Sequence, residues 1–333
     1  MIREITTEDE EQLLTGKDLI LASRRFAEED KRTSWSQTLS TFLLMILCFI
    51  GTFNPIHWSL QLVFSILFSL FIVRYFVIYH DYQHGAILRK STAARYLMKL
   101  FGILVLAPST IWKRTHDHHH HHNSKLTDLG IGSFPLISKT KYDEMDSRGQ
   151  LIYRIKRHPI IIFSGYFTLF ILDFNIISLF RSPYKHWDSI FALGTHILIG
   201  TLIYMGGGFT ALIISWVLPF MLAHGLGSYL FYAQHNFPGA VFVENCDWDY
   251  VNAAMKSTSY MVMSPLMHWF TGNIGYHHVH HINHRIPFYR LKEAMDEMKE
   301  LQNPTETSLH PKDIISCLRL KVWDAEKGKM VEL

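Results

Sequence analysis

Long apolar stretches are the feature that most limits what this chain can fold into. Trp58–Tyr79 and Phe209–Tyr232 are each about 20 residues long, the length that a helix needs to cross the hydrocarbon of a bilayer. Inside hydrocarbon the backbone must satisfy its own hydrogen bonds, so such a segment forms a helix. Because 48% of all residues are also hydrophobic, we expect an all-α membrane protein.

Composition excludes several other classes of protein. The formal net charge is only +3, and no basic run interleaved with aromatic residues is present, so binding to nucleic acid is not expected. The three cysteines, Cys48, Cys246 and Cys317, are scattered and lack CxxC spacing, which argues against a disulfide framework and against a thiolate metal site. Any metal site must therefore use nitrogen and oxygen ligands.

Turn signals predict how the helices connect. The other apolar stretches are Leu39–Phe53, Ile160–Phe180 and Ile190–Met205. Asn54-Pro55 predicts a tight turn after the first of these, and Gly206–Gly208 predicts a turn that joins a second helical pair. The chain is thus expected to form transmembrane helical hairpins. Leu97–Ala107 is too short to cross, and we expect it to lie in the interface or to dip in and return.

Charge predicts the orientation. Residues 85–157 carry 13 Lys/Arg against 5 Asp/Glu, whereas the connection Arg181–Asp188 carries two Lys/Arg, so the positive-inside rule places the histidine-rich side in the cytoplasm. Residues 1–36 are polar and do not resemble a cleaved signal peptide. We expect them, and the charged tail 292–333, to be cytoplasmic segments on either side of a membrane domain at residues 37–291.

Three histidine clusters border the apolar stretches. They are His80-Asp-Tyr-Gln-His84, His116-Asp-His-His119-His120 and His277-His-Val-His280-His281. Residues three and four apart share one face of a helix, so each cluster can direct its histidines at one point. Eight imidazoles exceed what one tetrahedral or octahedral ion can bind, which predicts two ions, although imidazole does not choose between iron, zinc, copper and nickel.

Topology restricts how the clusters can meet. Histidines of different clusters reach one site only if an even number of crossings separates them. One of the three later apolar stretches must therefore fail to cross. We prefer Ile160–Phe180, which Asp173 and Asn175 interrupt, as the interfacial or re-entrant segment.

Each cluster also has a simpler interpretation. The first could be a pair of histidines at a helix end, the run His118–His122 an opportunistic metal-binding tract, and the third a solvated loop. The repeated HxxHH spacing argues against coincidence. Asp81 and Asp117 could accept a proton from a ligand imidazole and so fix its tautomer. Five neighbouring histidines lie off the shared faces and are assigned to the surroundings of the site or to the surface: His118, His121, His122, His278 and His284.

At these residues the chain resembles the membrane fatty acid desaturase family, whose pattern is HxxxH, then HxxHH, then HxxHH. The similarity extends to the residues beside the clusters, from about Arg74 to Leu291. Gln234-His235-Asn-Phe stands where this family has a further ligand, and Asp247-Trp248-Asp249-Tyr250 resembles the motif that follows it. His122 departs from the pattern, because many plant-type members have Asn there.

The resemblance implies a di-iron enzyme that uses O2 and two electrons to introduce a cis double bond into a fatty acyl chain of a lipid. The similarity is to acyl-lipid desaturases of the omega-6 or delta-12 kind, in a bacterial inner membrane or its equivalent. The implied iron ligands are His80, His84, His116, His119, His120, His235, His277, His280 and His281. Asp81, Asp117 and Asn273 are expected around them.

Electrons are expected from a separate protein such as ferredoxin or cytochrome b5, because no fused haem domain is evident. Lys113 and Arg114 are the expected docking residues for an acidic donor. Arg74, six residues before His80, is expected near the hydrocarbon boundary, which would put the first cluster on the order of 9 Å beyond it. The acyl chain would then enter a bent tunnel whose depth selects the oxidised carbon.

Two alternative functions remain open from the sequence. A carotenoid ketolase or hydroxylase, or a lipid or alkane hydroxylase, would use the same iron chemistry on another substrate. A metal transporter would place its ligands inside the spanning helices. Here only His196 and His224 lie within apolar stretches, which argues against transport.

Overall fold

A computed structural model gives the fold and describes residues 13–55, 57–126, 132–243 and 247–333. Over these residues the chain is mostly helical, which confirms the predicted class, and two short two-stranded sheets are added to it. Cys246 and residues 1–12 of the N-terminal segment lie outside the described residues. Cys48 and Cys317 are both buried and free.

The helices are numbered in chain order. They are α1 Gly16–Ala22, α2 Lys31–Gly51, α3 Trp58–His84, α4 Thr92–Leu104, α5 Ser109–His122, α6 Lys139–Asp143, α7 Ser147–Lys156, α8 Pro159–Phe163, α9 Ser178–Arg181, α10 Asp188–Leu212, α11 Leu218–Ala233, α12 Tyr250–Lys256, α13 Pro265–Phe270, α14 His277–Ile282, α15 Leu291–Glu297 and α16 Pro311–Arg319. Short 3-10 helices occupy Ser23–Ala27, Phe288–Arg290 and Lys299–Leu301, and π-helices occupy Tyr166–Ile177 and Ile213–Val217. Strand β1 (Tyr260–Val262) pairs in parallel with β2 (Glu306–Ser308), and β3 (Val322–Asp324) pairs antiparallel with β4 (Lys329–Val331).

The first two long helices form an antiparallel hairpin. The ring of Phe49 near the end of α2 lies 5.3 Å from that of Phe68 in α3, and Phe42 lies 5.8 Å from Tyr75. The later residue of α2 therefore contacts the earlier residue of α3, and the earlier residue of α2 contacts the later one, so the two helices are antiparallel. The turn predicted at Asn54-Pro55 is therefore confirmed.

A second hairpin follows from a reversal at Gly208. This residue has φ 72° and ψ −169°, a backbone conformation that L side chains rarely adopt. In a straight helix His196 and Phe220 would be about 36 Å apart, yet their rings are 4.8 Å apart. The predicted turn within Gly206–Gly208 is confirmed.

Within the described part of the chain, three helical stretches are long and apolar enough to cross a membrane: Lys31–Gly51, Trp58–His84 and Asp188–Ala233. The third contains the reversal at Gly208 and is therefore two antiparallel arms. Two arms place an even number of crossings between His84 and His235, as a shared site requires.

A sharp bend separates α4 from α5. The two helices differ in direction by 91°, and Tyr79, one residue before the first cluster, donates a hydrogen bond of 2.8 Å to the Ala107 carbonyl in the bend. The bend is compatible with a helix that enters the interface and returns. That Leu97–Ala107 does not cross stays a prediction.

The segment from α8 to α9 is helical over residues 159–163 and 165–181 with one break at Ser164, and it is not among the candidate spans of the described residues. Asn175 donates a 2.7 Å hydrogen bond to the Leu106 carbonyl, which fixes the segment against the bend after α4. This arrangement supports the interfacial or re-entrant interpretation.

The connection Arg181–Asp188 lies beside the helix of the second cluster. Thr110 at the start of α5 donates a 2.6 Å hydrogen bond to Asp188, and its hydroxyl is 3.1 Å from His186 Nδ1. The charge comparison in the sequence analysis assumed that this connection and residues 85–157 lie on opposite sides of the membrane. That assumption is wrong, because the contacts with Thr110 place both on the same side.

Arg74 does not mark the hydrocarbon boundary. Its side chain is buried inside the protein, where it donates to Gln37 at 2.5 Å, to Thr41 at 3.2 Å and to the Trp269 carbonyl. These internal partners satisfy the charge of Arg74, so this residue need not lie at the hydrocarbon boundary. The estimate that the first cluster stands about 9 Å beyond the boundary assumed that it does, and that assumption is wrong.

The C-terminal segment is packed into the rest of the chain. The parallel pair β1–β2 joins residues 260–262 to 306–308, and Trp323 of β3 packs against Phe242 with ring centroids 5.7 Å apart. Helix α2 also begins at Lys31, before residue 37. The described contacts thus cross residues 36 and 291. The division of the chain into three segments at these residues stays a prediction.

Candidate metal centre

The first cluster occupies the last turn of α3. His80 and His84 are one turn apart, and their Nε2 atoms lie 3.3 Å from each other. The helix ends at Gly85, which adopts φ 69°, a left-handed conformation typical of a helix C-terminus. Both side chains are buried.

The second cluster lies on α5 and faces two directions. His116 and His120 are one turn apart with their Nε2 atoms 3.1 Å from each other, and both point toward the first cluster. His119 points to another histidine, because its Nε2 is 3.0 Å from that of His235. Trp112 stacks on His116 with ring centroids 4.8 Å apart and planes 14° from parallel.

The third cluster is the short helix α14, which connects the two sides. His280 Nε2 lies 3.1 Å from His120 Nε2, while His277 Nε2 lies 2.9 Å from His235 Nε2. His281 is stacked on His120, with ring centroids 4.3 Å apart. One helix thereby brings histidines to both parts of the site.

His235 follows the end of α11 and completes the second part. Its Nδ1 lies 3.2 Å from the Ser257 carbonyl, so an N–H at Nδ1 leaves Nε2 with its lone pair toward His119 and His277. Carbonyl bonding of one ring nitrogen is the usual way in which a metal-binding imidazole is oriented.

The nine histidines form two groups, each with its candidate ligand atoms within 4.8 Å of one another. We name them group A, which is His80, His84, His116, His120 and His280, and group B, which is His119, His235, His277 and His281. All nine sequence-predicted ligands are members of one group or the other. Two such groups are the arrangement expected for two ions.

Burial favours the uncharged form of the imidazoles of His235 and the third cluster. Desolvation lowers the pKa of His235 to about 4. Desolvation also holds the pKa of His277, His280 and His281 well below the ordinary value, and neighbouring histidines lower the pKa of these three further. A neutral imidazole keeps a lone pair for a metal, whereas an imidazolium has none.

The donor chemistry fits first-row transition metals. Groups A and B contain only imidazole nitrogen, which suits iron, zinc, copper or nickel and disfavours magnesium and calcium. In the described residues, Nδ1 of His120, His277 and His280 has no hydrogen-bond partner although it is buried. The Nε2 atoms of neighbouring histidines lie about 3 Å apart, and a neutral imidazole has only one N–H, so their lone pairs repel one another. A cation placed between these nitrogens would remove the repulsion.

Asp81 supports group A. Its carboxylate oxygens lie 3.0 Å from His80 Nδ1 and accept a 2.6 Å hydrogen bond from the Phe288 N–H. Asn273 donates a 3.1 Å hydrogen bond to the Phe288 carbonyl, so it reaches the site only through that residue. Asp117 is corrected: its carboxylate pairs with Lys113 at 2.7 Å, and no described contact joins it to a ligand imidazole.

The neighbouring histidines have separate roles. His118 stacks on His122, whereas His121 Nδ1 bonds the Asp117 carbonyl at the surface. His278 is buried, with Nε2 3.0 Å from the Leu301 carbonyl, so it holds the C-terminal segment. His284 is closest to the site, with its ring 4.7 Å from that of His84, although it belongs to neither group.

Sequence reasoning missed a buried network beside group B. Arg157 is fully buried, and it donates to Asn236 at 2.5 Å and to the Leu320 carbonyl at 3.2 Å. Asn236, which follows His235, donates 2.6 Å and 3.2 Å hydrogen bonds to the carbonyls of Cys317 and Leu320. The one available signal was the position of Asn236 directly after His235.

An open cavity of about 710 Å³ adjoins the histidines. His80, His116 and His277 line it, together with Ile72 of α3 and Ala223 of α11. Ile72 lies eight residues before His80 and Ala223 twelve before His235, so the cavity extends about 12–18 Å along these helices. Most of the remaining lining is aromatic or aliphatic.

The two histidines inside apolar stretches lie away from the groups. His224 lines the cavity, and its two ring nitrogens lie 2.8 Å and 2.9 Å from the carbonyls of Phe220 and Val105. His196 pairs with the Tyr166 hydroxyl at 2.5 Å. Neither belongs to a group of three or more candidate ligands among the described residues, which argues against a transport site there.

Comparison with known proteins agrees with this geometry. A family model described as "Fatty acid desaturase" matches residues 56–311, which include both groups. A "Fatty acid desaturase" of Bacillus subtilis (strain 168) is 29% identical over 330 residues, covering 95% of this chain and 90% of its own length.

Two cyanobacterial relatives are named by their substrates. The "sn-1 acyl-lipid omega-3 desaturase (ferredoxin)" of Synechocystis sp. is 26% identical and covers 75% of this chain and 68% of its own length. The "sn-1 oleoyl-lipid 12-desaturase" of Picosynechococcus sp. is 20% identical, with coverages of 80% and 77%.

Proposed function

The chain belongs to the fatty acid desaturase family as a membrane lipid desaturase, and we propose that groups A and B each hold one iron ion beside an acyl-binding cavity. The observation that carries this proposal is the division of nine histidines, eight of them buried and His235 partly buried, into two groups that share α5 and α14. The product would be a cis double bond in a lipid acyl chain.

Iron is proposed because removal of hydrogen from an unactivated acyl chain needs an oxidant that no side chain provides. Two iron ions supply it with O2 and two electrons, and the protein positions and shields the reacting carbons. Group A would hold one ion with up to five imidazoles and group B would hold the other with up to four. Asp81 orients His80, and the Ser257 carbonyl orients His235.

The cavity is proposed as the acyl tunnel. It passes His80, His116 and His277 and continues between α3 and α11, so a chain inside it would present a middle carbon to the histidines. Trp112 and Phe231 line the wall next to ligand rings and keep water away from the reacting segment. Aromatic walls of this kind exclude water without bonding to the substrate.

Electron delivery is proposed at α5. Lys113 and Arg114 are both exposed, on the same helix as His116, His119 and His120. An acidic ferredoxin or cytochrome b5 bound there would be about one helical turn from a ligand. We also propose that the histidines and both termini face the cytoplasm, which the basic segment 85–157 supports.

Fatty-acid profiling of a host that expresses the chain tests the proposal. We expect a new unsaturated acyl chain with the wild type, none with His280→Ala, and normal product with His121→Ala, whose ring is exposed and belongs to neither group. A hydroxylated or ketolated product would instead support the related oxidases. Zinc flux without lipid oxidation would support a transporter.

A further inference from the structure

Three charged side chains line the cavity: Lys156, Asp173 and Arg181. All three lie far in sequence from the candidate histidine ligands. All three are exposed. Asp173 lies in the middle of the apolar π-helix Tyr166–Ile177. An ionisable side chain beside lipid is costly, so its presence there indicates a function.

These charges lack direct partners among the described residues. Neither cation approaches the Asp173 carboxylate within the 4.0 Å of an ion pair, and no described residue forms a hydrogen bond with the charged group of any of the three, although the Ser178 hydroxyl donates to the Asp173 backbone carbonyl. Both cations nevertheless act electrostatically on that carboxylate, Arg181 more strongly than Lys156. All three side chains line the same cavity and are exposed, so one ligand in that cavity can reach them.

The cavity itself limits what that ligand can be. Its walls suit an acyl chain, and an acyl chain in a cell is attached to a polar carrier. A glycerophospholipid carries one phosphodiester, an acyl-coenzyme thioester carries several phosphates, and a neutral glycolipid carries none. Two cations beside one anion match the first of these, because the carboxylate would repel a polyphosphate and a neutral sugar would leave the cations unpaired.

We propose that Lys156 and Arg181 bind the phosphodiester of a glycerophospholipid whose acyl chain occupies the cavity, while Asp173 accepts a hydrogen bond from an ammonium or hydroxyl group of the same headgroup. This inference rests on the proposed function. Guanidinium binds phosphate oxygens in a bidentate manner and lysine adds a point charge. The position of the headgroup would then fix which carbon reaches groups A and B.

Binding of short-chain lipids to the purified full-length protein tests the proposal. Isothermal titration would use dihexanoyl phosphatidylglycerol, dihexanoyl phosphatidylethanolamine, a dihexanoyl glucosyl glycerolipid and hexanoyl-coenzyme A. We expect both phospholipids to bind, and the double variant Lys156→Gln/Arg181→Gln to weaken them about tenfold or more. Asp173→Asn should reduce the preference for phospholipid over the thioester. The two phospholipid arms show whether an ammonium or a hydroxyl group is preferred.

The matched control is Arg154→Gln/Lys185→Gln. These two residues are exposed, flank the same segments and do not line the cavity, and the variant makes the same change in charge. If the control variant loses as much phospholipid affinity as the Lys156/Arg181 variant, general surface charge explains the effect and the proposal is overturned. Equal binding of the glycolipid, or unchanged binding by the Lys156/Arg181 variant, would also overturn it.

The same titration on metal-free protein separates this proposal from the proposed function. Headgroup binding needs no metal, so the site stands if the binding pattern holds in a protein that forms no double bond. If the protein desaturates lipid but binds all four probes with equal affinity, the proposed function stands and the headgroup site is refuted.

Discussion

At the scale of single residues, the candidate site depends on imidazoles that lie inside the protein, two of which have identified orienting partners. His80 is oriented by Asp81, and His235 by the Ser257 carbonyl. Orientation of this kind fixes which ring nitrogen carries the proton and raises the basicity of the other. The sequence indicated Asp81 and Asp117 equally, and only the fold distinguishes them.

Replacement of Asp81 by asparagine should weaken metal binding at group A. Asparagine keeps an acceptor for the Phe288 N–H but carries no charge for the His80 ring, and losses of about 10–100-fold in metal affinity are typical of such changes. Metal titration of the metal-free protein measures the effect. Asp117→Asn is the control and should bind as the wild type, because its carboxylate is paired with Lys113 at the surface. Equal affinity of all three proteins would refute the role of Asp81.

Acidification should destabilise the metal-free protein. Burial lowers the pKa of His235 and of His278 to about 4, so between about pH 6.5 and about pH 4 the unfolded chain binds protons that the folded chain does not. The free energy of unfolding therefore falls as the pH falls through this window, and these groups contribute no slope above it. Thermal unfolding at about pH 7.5 and about pH 5 checks this, and an unchanged Tm would contradict it.

At the scale of elements, the long helices and the spacing of the clusters were predictable, whereas the contacts that hold group B were not. Apolar length and two turn signals predicted both hairpins, since backbone bonding in a membrane leaves few choices. The network of Arg157, Asn236 and Leu320 joins segments far apart in sequence. It uses backbone carbonyls, which any residue provides, so no pattern of residue types predicts it.

His235 was predicted as a candidate ligand from the family resemblance, because a single histidine at a helix end has no spacing to distinguish it. Three weaker inferences failed for a common reason. Arg74, Asp117 and the connection Arg181–Asp188 were judged from their neighbours in sequence, but their partners are Gln37, Lys113 and Thr110 in the fold.

Loss of the Asn236 side chain should release metal from group B in preference to group A. Asn236→Ala removes the bonds to the carbonyls of Cys317 and Leu320 next to His235, while no member of group A contacts this network. Metal analysis should change from two ions per chain toward one. Asn252→Ala, at an exposed position of α12, is the control and should keep both. Loss of both ions together would indicate general unfolding and contradict a local role.

At the scale of the whole molecule, one cavity lies between α3, α11 and the π-helix Tyr166–Ile177, and histidines of groups A and B line its end. Gly227 of α11 lines this cavity, and a Cβ added there would meet no atom within 4 Å. A larger side chain can therefore enter the cavity without displacing the helix.

Gly227→Leu should shorten the space for the acyl chain. We expect lower activity on long chains, or a double bond moved along the chain, because the methyl end meets an obstacle about 12 Å before His235. Gly194→Leu is the matched control, since Gly194 is an exposed glycine of α10 that also has no neighbour within 4 Å of an added Cβ. Mass spectrometry of the acyl chains compares them. The same product distribution from both variants would contradict the assignment of the tunnel.

Anomalous scattering from crystals of the purified protein at the iron absorption edge tests the central claim most directly. The account predicts two iron peaks per chain, one among the five imidazoles of group A and one among the four of group B. A single peak shared by both groups, or a signal at the zinc edge alone, would contradict it.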